Sequence, residues 1–191
     1  IYRLITIKPR PYKAYLTTRP LVMAHQGGAD LAPSNTMAAF RNAAQMGVDV
    51  LELDVHTTKD GVVVVIHDAT VDRTTNGVGS VHDLTLSELQ KLDAGYRFSP
   101  DNGQTFPFRG QGVAIPTLQE VLSAFPALRI NIEIKQANPP MEQAVAELIQ
   151  QAGAQNRVLV VASNQDVIER FRALMPDVAT GASESEVRGF F

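Results

Sequence analysis

Residues 50–68 read VLELDVHTTKDGVVVVIHD, and this stretch decides the fold. Val and Leu alternate with charged groups up to Val55. Thr58-Lys59-Asp60-Gly61 then supplies turn chemistry, and four consecutive valines lead to Ile66, His67 and Asp68. Two β-branched runs joined by a turn too short for a helix predict an antiparallel hairpin of strands over residues 48–55 and 62–66. Glu52 and Asp54 lie two apart, so a strand points both to one side. Carboxylates so placed repel each other unless a cation lies between them, and a divalent metal held by carboxylate oxygens is the simplest such cation. If Thr58 and Gly61 flank the turn, Glu52 faces His67 and Asp54 faces Val65, which would make His67 and Glu52 neighbours on one face.

Outward from the hairpin, strand and helix alternate. Upstream, Leu21 to Ala24 reads as a buried strand ending at His25. A Gly-rich loop follows, and then a helix capped by Ser34 or Asn35 and closed by Gly47. Downstream, helices over 117–124, 141–152 and 165–174 precede strands over 129–134, 157–161 and 178–180. That alternation predicts an α/β fold with a parallel sheet and helices outside it. Residues 68–116 interrupt the rhythm with nine scattered Gly and Pro. One short helix there, over 86–92, is marked by Thr85 with Glu88 three residues on. This segment reads as an insertion folded over one end of the domain, where substrate-contacting loops usually lie. Six strands are counted where a closed (β/α)8 barrel has eight, so further strands are expected beyond residue 191.

Composition narrows the function. The 191 residues are 45% hydrophobic and 19% charged, enough for one sizeable core. A formal net charge of -3 with few aromatics gives no basic field for nucleic acid. Cysteine is absent, which removes disulfides, thiolate metal sites and cysteine nucleophiles. No apolar run is long enough for a transmembrane helix. Residues 1–20 carry five basic residues, three prolines and no acid. They read as an extended surface lead-in, with a tether near a membrane as the second reading. The chain starts at Ile1, so an upstream signal or anchor is an open expectation, and with it the compartment: cytoplasmic, or membrane-associated or extracytoplasmic if an anchor or signal was removed.

In a barrel, side chains at the C-terminal ends of strands converge on one mouth. Here that mouth would gather His25, Glu52, Asp54, His67, Glu133 and Lys135. Glu52, Asp54 and Glu133 are the candidate metal ligands, leaving coordination positions for a phosphate oxygen. His25 and His67 are the candidate acid and base, in either order, and Lys135 the candidate partner of phosphate charge.

These residues carry a resemblance. The segment AHQGGADLAPSNTMAAFRNAAQMGVDVLELDVHTTKDGVVVVIHD resembles the glycerophosphodiester phosphodiesterase family of phospholipase C-like barrels. That family's pattern runs His-Arg-Gly, Pro-Glu-Asn-Thr, Glu-x-Asp, a Thr-x-Asp-Gly turn, His-Asp and a later Glu-x-Lys, over about residues 21–180. The resemblance implies a TIM-type (β/α)8 barrel with an insertion after the third strand, and a bound calcium or magnesium ion. It also implies hydrolysis of a small glycerophosphodiester to an alcohol and sn-glycerol 3-phosphate. Lysophospholipase D-like hydrolysis and a non-catalytic phosphate-binding module are the alternatives. Two positions depart from the pattern: Gln26 replaces Arg, and Ser34 replaces Glu. Gln26 is a candidate substrate contact that can donate a hydrogen bond to phosphate but brings no charge.

Overall fold

A computed structural model describes residues 13–16 and 19–189. Six strands alternate with helices. The strands are β1 (Met23–Ala24), β2 (Val50–Thr57), β3 (Val63–Val65), β4 (Arg129–Ile134), β5 (Val158–Val161) and β6 (Ala179–Thr180). The helices are α1 (Met37–Gln45), α2 (Leu86–Leu89), α3 (Leu118–Ala124), α4 (Glu142–Gln151), α5 (Gln165–Leu174) and α6 (Glu184–Arg188). The parallel order is β1-β2-β4-β5-β6, and β3 pairs antiparallel with β2. This is a barrel-type α/β sheet, with β1 and β6 at its two edges among the described residues.

Strand periodicity sorts the two faces. Leu51, Leu53, Val55, Ile130, Ile132, Val158 and Val160 form one apolar core with the helices. Phe40 of α1, Leu122 of α3, Ile149 of α4 and Phe171 of α5 meet them there, all nearly inaccessible to solvent. Burying one such side chain contributes about 1.5–3 kcal/mol, so the outer face of the sheet holds the fold together. The inner face carries the intervening residues of β2 and β4: Glu52, Asp54 and His56 on one strand, Asn131 and Glu133 on the other. Register sets Asp54 opposite Glu133 and Glu52 opposite Asn131.

The β2–β3 hairpin differs from its sequence reading by one residue. Val55 pairs with Val65 and Thr57 with Val63, so Glu52 is not set opposite His67, nor Asp54 opposite Val65. The turn is longer than the sequence suggests. Thr58 N donates to the Val62 carbonyl (3.0 Å), and Thr58 Oγ1 accepts from Val62 N (2.9 Å) and donates to Asp60 Oδ1 (2.6 Å), which leaves three residues, 59–61, in the turn. Gly61, at φ 79°, supplies the left-handed turn residue. The ladder closes with Ile66 N donating to the Asp54 carbonyl (2.9 Å), and the chain leaves before His67.

Smaller differences are local. Thr36, not Ser34 or Asn35, caps α1 by accepting from Ala39 N. Helix α6, with a capping box from Ser183 and Glu186, has no sequence counterpart in an apolar stripe, since none of its residues is buried. The insertion has a second core around Val64, Ile66, Val71, Val81, Leu89 and Ile115, so it is packed onto β3 rather than draped over it. Of the N-terminal lead-in, Tyr15 is buried against Val50 and Ala179, so this part packs rather than forming a surface arm. Residues 1–12, 17 and 18 lie outside the described residues. No helix among the described residues is long and apolar enough to cross a membrane.

Candidate functional site

The site forms where β1, β2 and β4 end. Parallel pairing sets Ala24 beside Leu51, which delivers the following residues, His25 and Gln26, next to Glu52. These two open a tight turn in which Gln26 (φ 51°), Gly27 (φ 77°) and Gly28 (φ 91°) are all left-handed. A left-handed Gln is sterically costly, and such strain gathers at functional sites. Here the conformation aims the Gln26 amide N–H at Glu52 Oε2 (2.7 Å), while its side-chain amide donates to Asp54 Oδ2 (3.0 Å). Gly27 makes this possible. A Cβ there would stand 2.8 Å from the Phe40 ring, so only glycine lets the turn lie on α1.

Glu52, Asp54 and Glu133 offer ligand oxygens that all lie within 4.8 Å of one another. Glu52 and Asp54 are buried, and Glu133 is partly exposed. Asn35, also left-handed (φ 58°), grips Asp54 twice. Its Nδ2 donates to Oδ2 (2.9 Å), and its Oδ1 accepts from the Asp54 backbone N–H (3.2 Å). Lys135 Nζ lies 3.0 Å from Glu133 Oε2 and 3.3 Å from Asp54 Oδ1. Two of the three carboxylates thus share one ammonium, and Glu52 has none among the described residues. The consequence appears at Glu52, where burial raises the carboxyl pKa and the neighbouring Asp54 and Glu133 push it further up. The Gln26 N–H opposes this without cancelling it. For Lys135, burial alone would lower the pKa, but the ion pairs with Glu133 and Asp54 outweigh it and hold the ammonium charged.

A divalent cation fits this donor set. The oxygens are hard, crowded and short of positive charge, and Asp54 Oδ1 is buried without a hydrogen-bond donor aligned on it.

The predicted acid-base residues have different surroundings. His25 is exposed and close enough for its charge to act on Glu52. His67 is partly exposed, and its Nδ1 lies 2.7 Å from Asp68 Oδ1. Asp68 is in turn held by Arg73 through Nε (2.5 Å) and Nη2 (3.0 Å). Those guanidinium bonds pull the Asp68 carboxyl down to about 2. An ionised Asp68 therefore orients the His67 ring, the role a carboxylate plays behind a catalytic imidazole.

Asn35, His56, Asp68 and Arg73 stand outside the sequence-derived set. His56 was open to discovery, because it follows Glu52 and Asp54 on the same strand face. Its burial lowers its pKa, and its Nε2 contacts the His67 carbonyl (3.1 Å). Asn35 had only a helix-cap signature, and Arg73 none.

The model of the glycerophosphoryl diester phosphodiesterase family matches residues 25–176. The chain belongs to that family. Among its relatives, a glycerophosphodiester phosphodiesterase from Caldanaerobacter subterraneus is 41% identical over 168 residues, covering 85% of this chain and 66% of that protein. A solved glycerophosphoryl diester phosphodiesterase domain, that of Rv2277c from Mycobacterium tuberculosis, superposes with a TM-score of 0.81 at 29% identity, over 89% of this chain and 62% of that one. An Oleispira antarctica phosphodiesterase, solved with the product sn-glycerol-3-phosphate, gives 0.77 at 32% identity, over 89% and 68%. The chain thus spans about two thirds of the length of these relatives. These folds are family barrels, in keeping with the sheet order found here.

Proposed function

We propose that this chain hydrolyses glycerophosphodiesters to an alcohol and sn-glycerol 3-phosphate, with a divalent cation at Glu52, Asp54 and Glu133. The observation carrying this reading is the cluster of three carboxylates within 4.8 Å beside Lys135, with His25 near enough to act on Glu52. Family membership and the glycerol phosphate complex of the Oleispira protein support it. Bound to the cluster, calcium or magnesium would polarise the phosphoryl group and neutralise its charge.

The remaining chemistry falls to side chains. Lys135 is placed to share the negative charge that builds on the phosphoryl oxygens. His25 and His67 supply one base and one acid. The base takes the proton of the attacking hydroxyl, from water or the neighbouring glycerol hydroxyl, and the acid protonates the leaving alkoxide; after attack by the glycerol hydroxyl, water opens the resulting cyclic phosphate to sn-glycerol 3-phosphate. Asp68, fixed by Arg73, orients the His67 ring for its part. Gln26 commits one of its two side-chain amide hydrogens to Asp54 and keeps the other for a phosphate oxygen of the substrate.

The test is release of glycerol 3-phosphate from a panel of glycerophosphodiesters with calcium or magnesium, and with EDTA. Metal-dependent release, lost in His25→Ala and His67→Ala by about 10²–10⁴-fold, is expected. Absence of metal-dependent release across the panel refutes the reading. Unchanged ligand affinity in His67→Ala, with no turnover in the parent, would indicate a binding module instead.

A further inference from the structure

A polar cavity of about 520 Å³ opens between the His25–Ser34 loop and the insertion. It borders the catalytic cluster twice. Gln26, on its wall, bonds Glu52 and Asp54, and Arg73, also on its wall, holds the Asp68 that orients His67. A phosphodiester gripped at the cluster would therefore send one of its two ester substituents into this space. Both positions at which the chain departs from the family pattern, Gln26 and Ser34, line it.

The charges in the cavity are informative. Arg73 is neutralised by Asp68. Arg97 and Asp30 also line the cavity, and among the described residues neither takes part in an ion pair. Arg97 is not free to wander. Its Nε donates to the carbonyl of buried Thr75 (3.0 Å), which anchors the guanidinium and leaves both Nη groups without an acceptor among the described residues. The surrounding insertion is cross-braced. Phe98 packs edge-on against Phe108 at 5.4 Å, and Arg109 stacks on Tyr96 and Phe106 at 4.2 and 3.8 Å. An anchored, unpaired guanidinium is a fork for a carboxylate, and an unpaired carboxylate in the same cavity suits an ammonium.

We propose that this cavity is the subsite for the alcohol half of the substrate and selects alcohols carrying both an ammonium and a carboxylate, with Arg97 on the carboxylate and Asp30 on the ammonium. The proposal rests on the phosphodiesterase reading above. Glycerophosphoserine has this chemistry; glycerophosphoethanolamine lacks only the carboxylate, and glycerophosphoglycerol lacks both charges.

The experiment compares kcat/KM for these three substrates in the full chain with metal, for the wild type, Arg97→Gln, Arg97→Lys and Asp30→Asn. Glycerophosphoserine is expected to be preferred over glycerophosphoethanolamine by about tenfold, the worth of one charge-assisted bidentate contact. Arg97→Gln should erase that preference, lowering kcat/KM for glycerophosphoserine by about tenfold more than for glycerophosphoglycerol. Arg97→Lys should keep part of it, and this variant carries the test if the glutamine variant folds poorly. Asp30→Asn should weaken both amine substrates against glycerophosphoglycerol. Equal turnover of the three substrates, or a preference untouched by Arg97→Gln, overturns the subsite while leaving the phosphodiesterase reading intact. If nothing is hydrolysed, the phosphodiesterase reading fails, and the subsite is judged by calorimetric affinity. Tighter binding of glycerophosphoserine that Arg97→Gln removes supports it; equal affinities overturn it.

Discussion

Replacing Glu52 by Gln should stabilise the metal-free protein and destabilise the metal-loaded one. Glu52 is 5% exposed and lies within 4.8 Å of two other carboxylates. Asp54 and Glu133 share the Lys135 ammonium, so together they present about one net negative charge to Glu52, which at that separation and an effective dielectric of about 20 costs roughly 3 kcal/mol. Glutamine keeps the shape and the acceptor for the Gln26 N–H, and the loss is the charge assistance of that bond, about 1 kcal/mol. A net gain of about 2 kcal/mol follows, which for a chain of this length is roughly 4–8 °C in Tm. With the cation present the sign reverses. At a hundred times its dissociation constant, bound metal stabilises the wild type by about 2.7 kcal/mol, or roughly 5–10 °C. The variant, with a ligand oxygen replaced by a neutral amide, gains little. Thermal unfolding of both proteins in EDTA and in a calcium or magnesium series would show the curves crossing. A variant less stable than wild type in EDTA, or one with an undiminished metal response, refutes the reasoning that these carboxylates are held together for a cation.

Three further outcomes are expected. Lys135→Met leaves Asp54 and Glu133 without their ammonium, so metal-free stability should fall by about 3–5 kcal/mol in urea unfolding, with added metal restoring part of it but no activity. Gly27→Ala combines a left-handed backbone with a Cβ 2.8 Å from Phe40. A loss of about 2–4 kcal/mol is expected in the same unfolding assay, with a weaker metal response because Gln26 is displaced from Glu52. Arg73→Ala releases Asp68, whose carboxyl is held at about 2 against an ordinary 3.8. A depressed carboxyl stabilises above its unfolded pKa and loses that contribution as pH falls. The stability gap between wild type and Arg73→Ala should therefore be full above pH 3.8 and close towards about 2, and a gap constant with pH would refute the pairing.

The strands and helices were legible because their causes are local. The alternation in Arg129–Ile134 and the apolar spacing in Gln165–Leu174 recover those elements with their observed bounds, since period two and period 3.6 are properties of the chain itself. The same periodicity placed Glu52 beside Asp54, and barrel logic brought Glu133 and Lys135 to them. Helix α6 escaped because it buries nothing and so has no apolar period to read.

What lay beyond the sequence was set by contacts between distant residues. The hairpin register goes with the pairing of Thr58 and Val62, in which Thr58 N donates to the Val62 carbonyl and Thr58 Oγ1 accepts from Val62 N. A single residue of slip removes His67 from its expected place opposite Glu52. The partner of His67 is instead Asp68, fixed by Arg73 of the insertion. Asn35 looked like a helix cap, yet its left-handed backbone turns its amide onto Asp54. The sequence by itself determined which residues carry charge and which face of a strand they share. Tertiary structure decided which charges meet, because hydrogen-bond geometry between segments far apart in the chain leaves no periodic trace in the sequence.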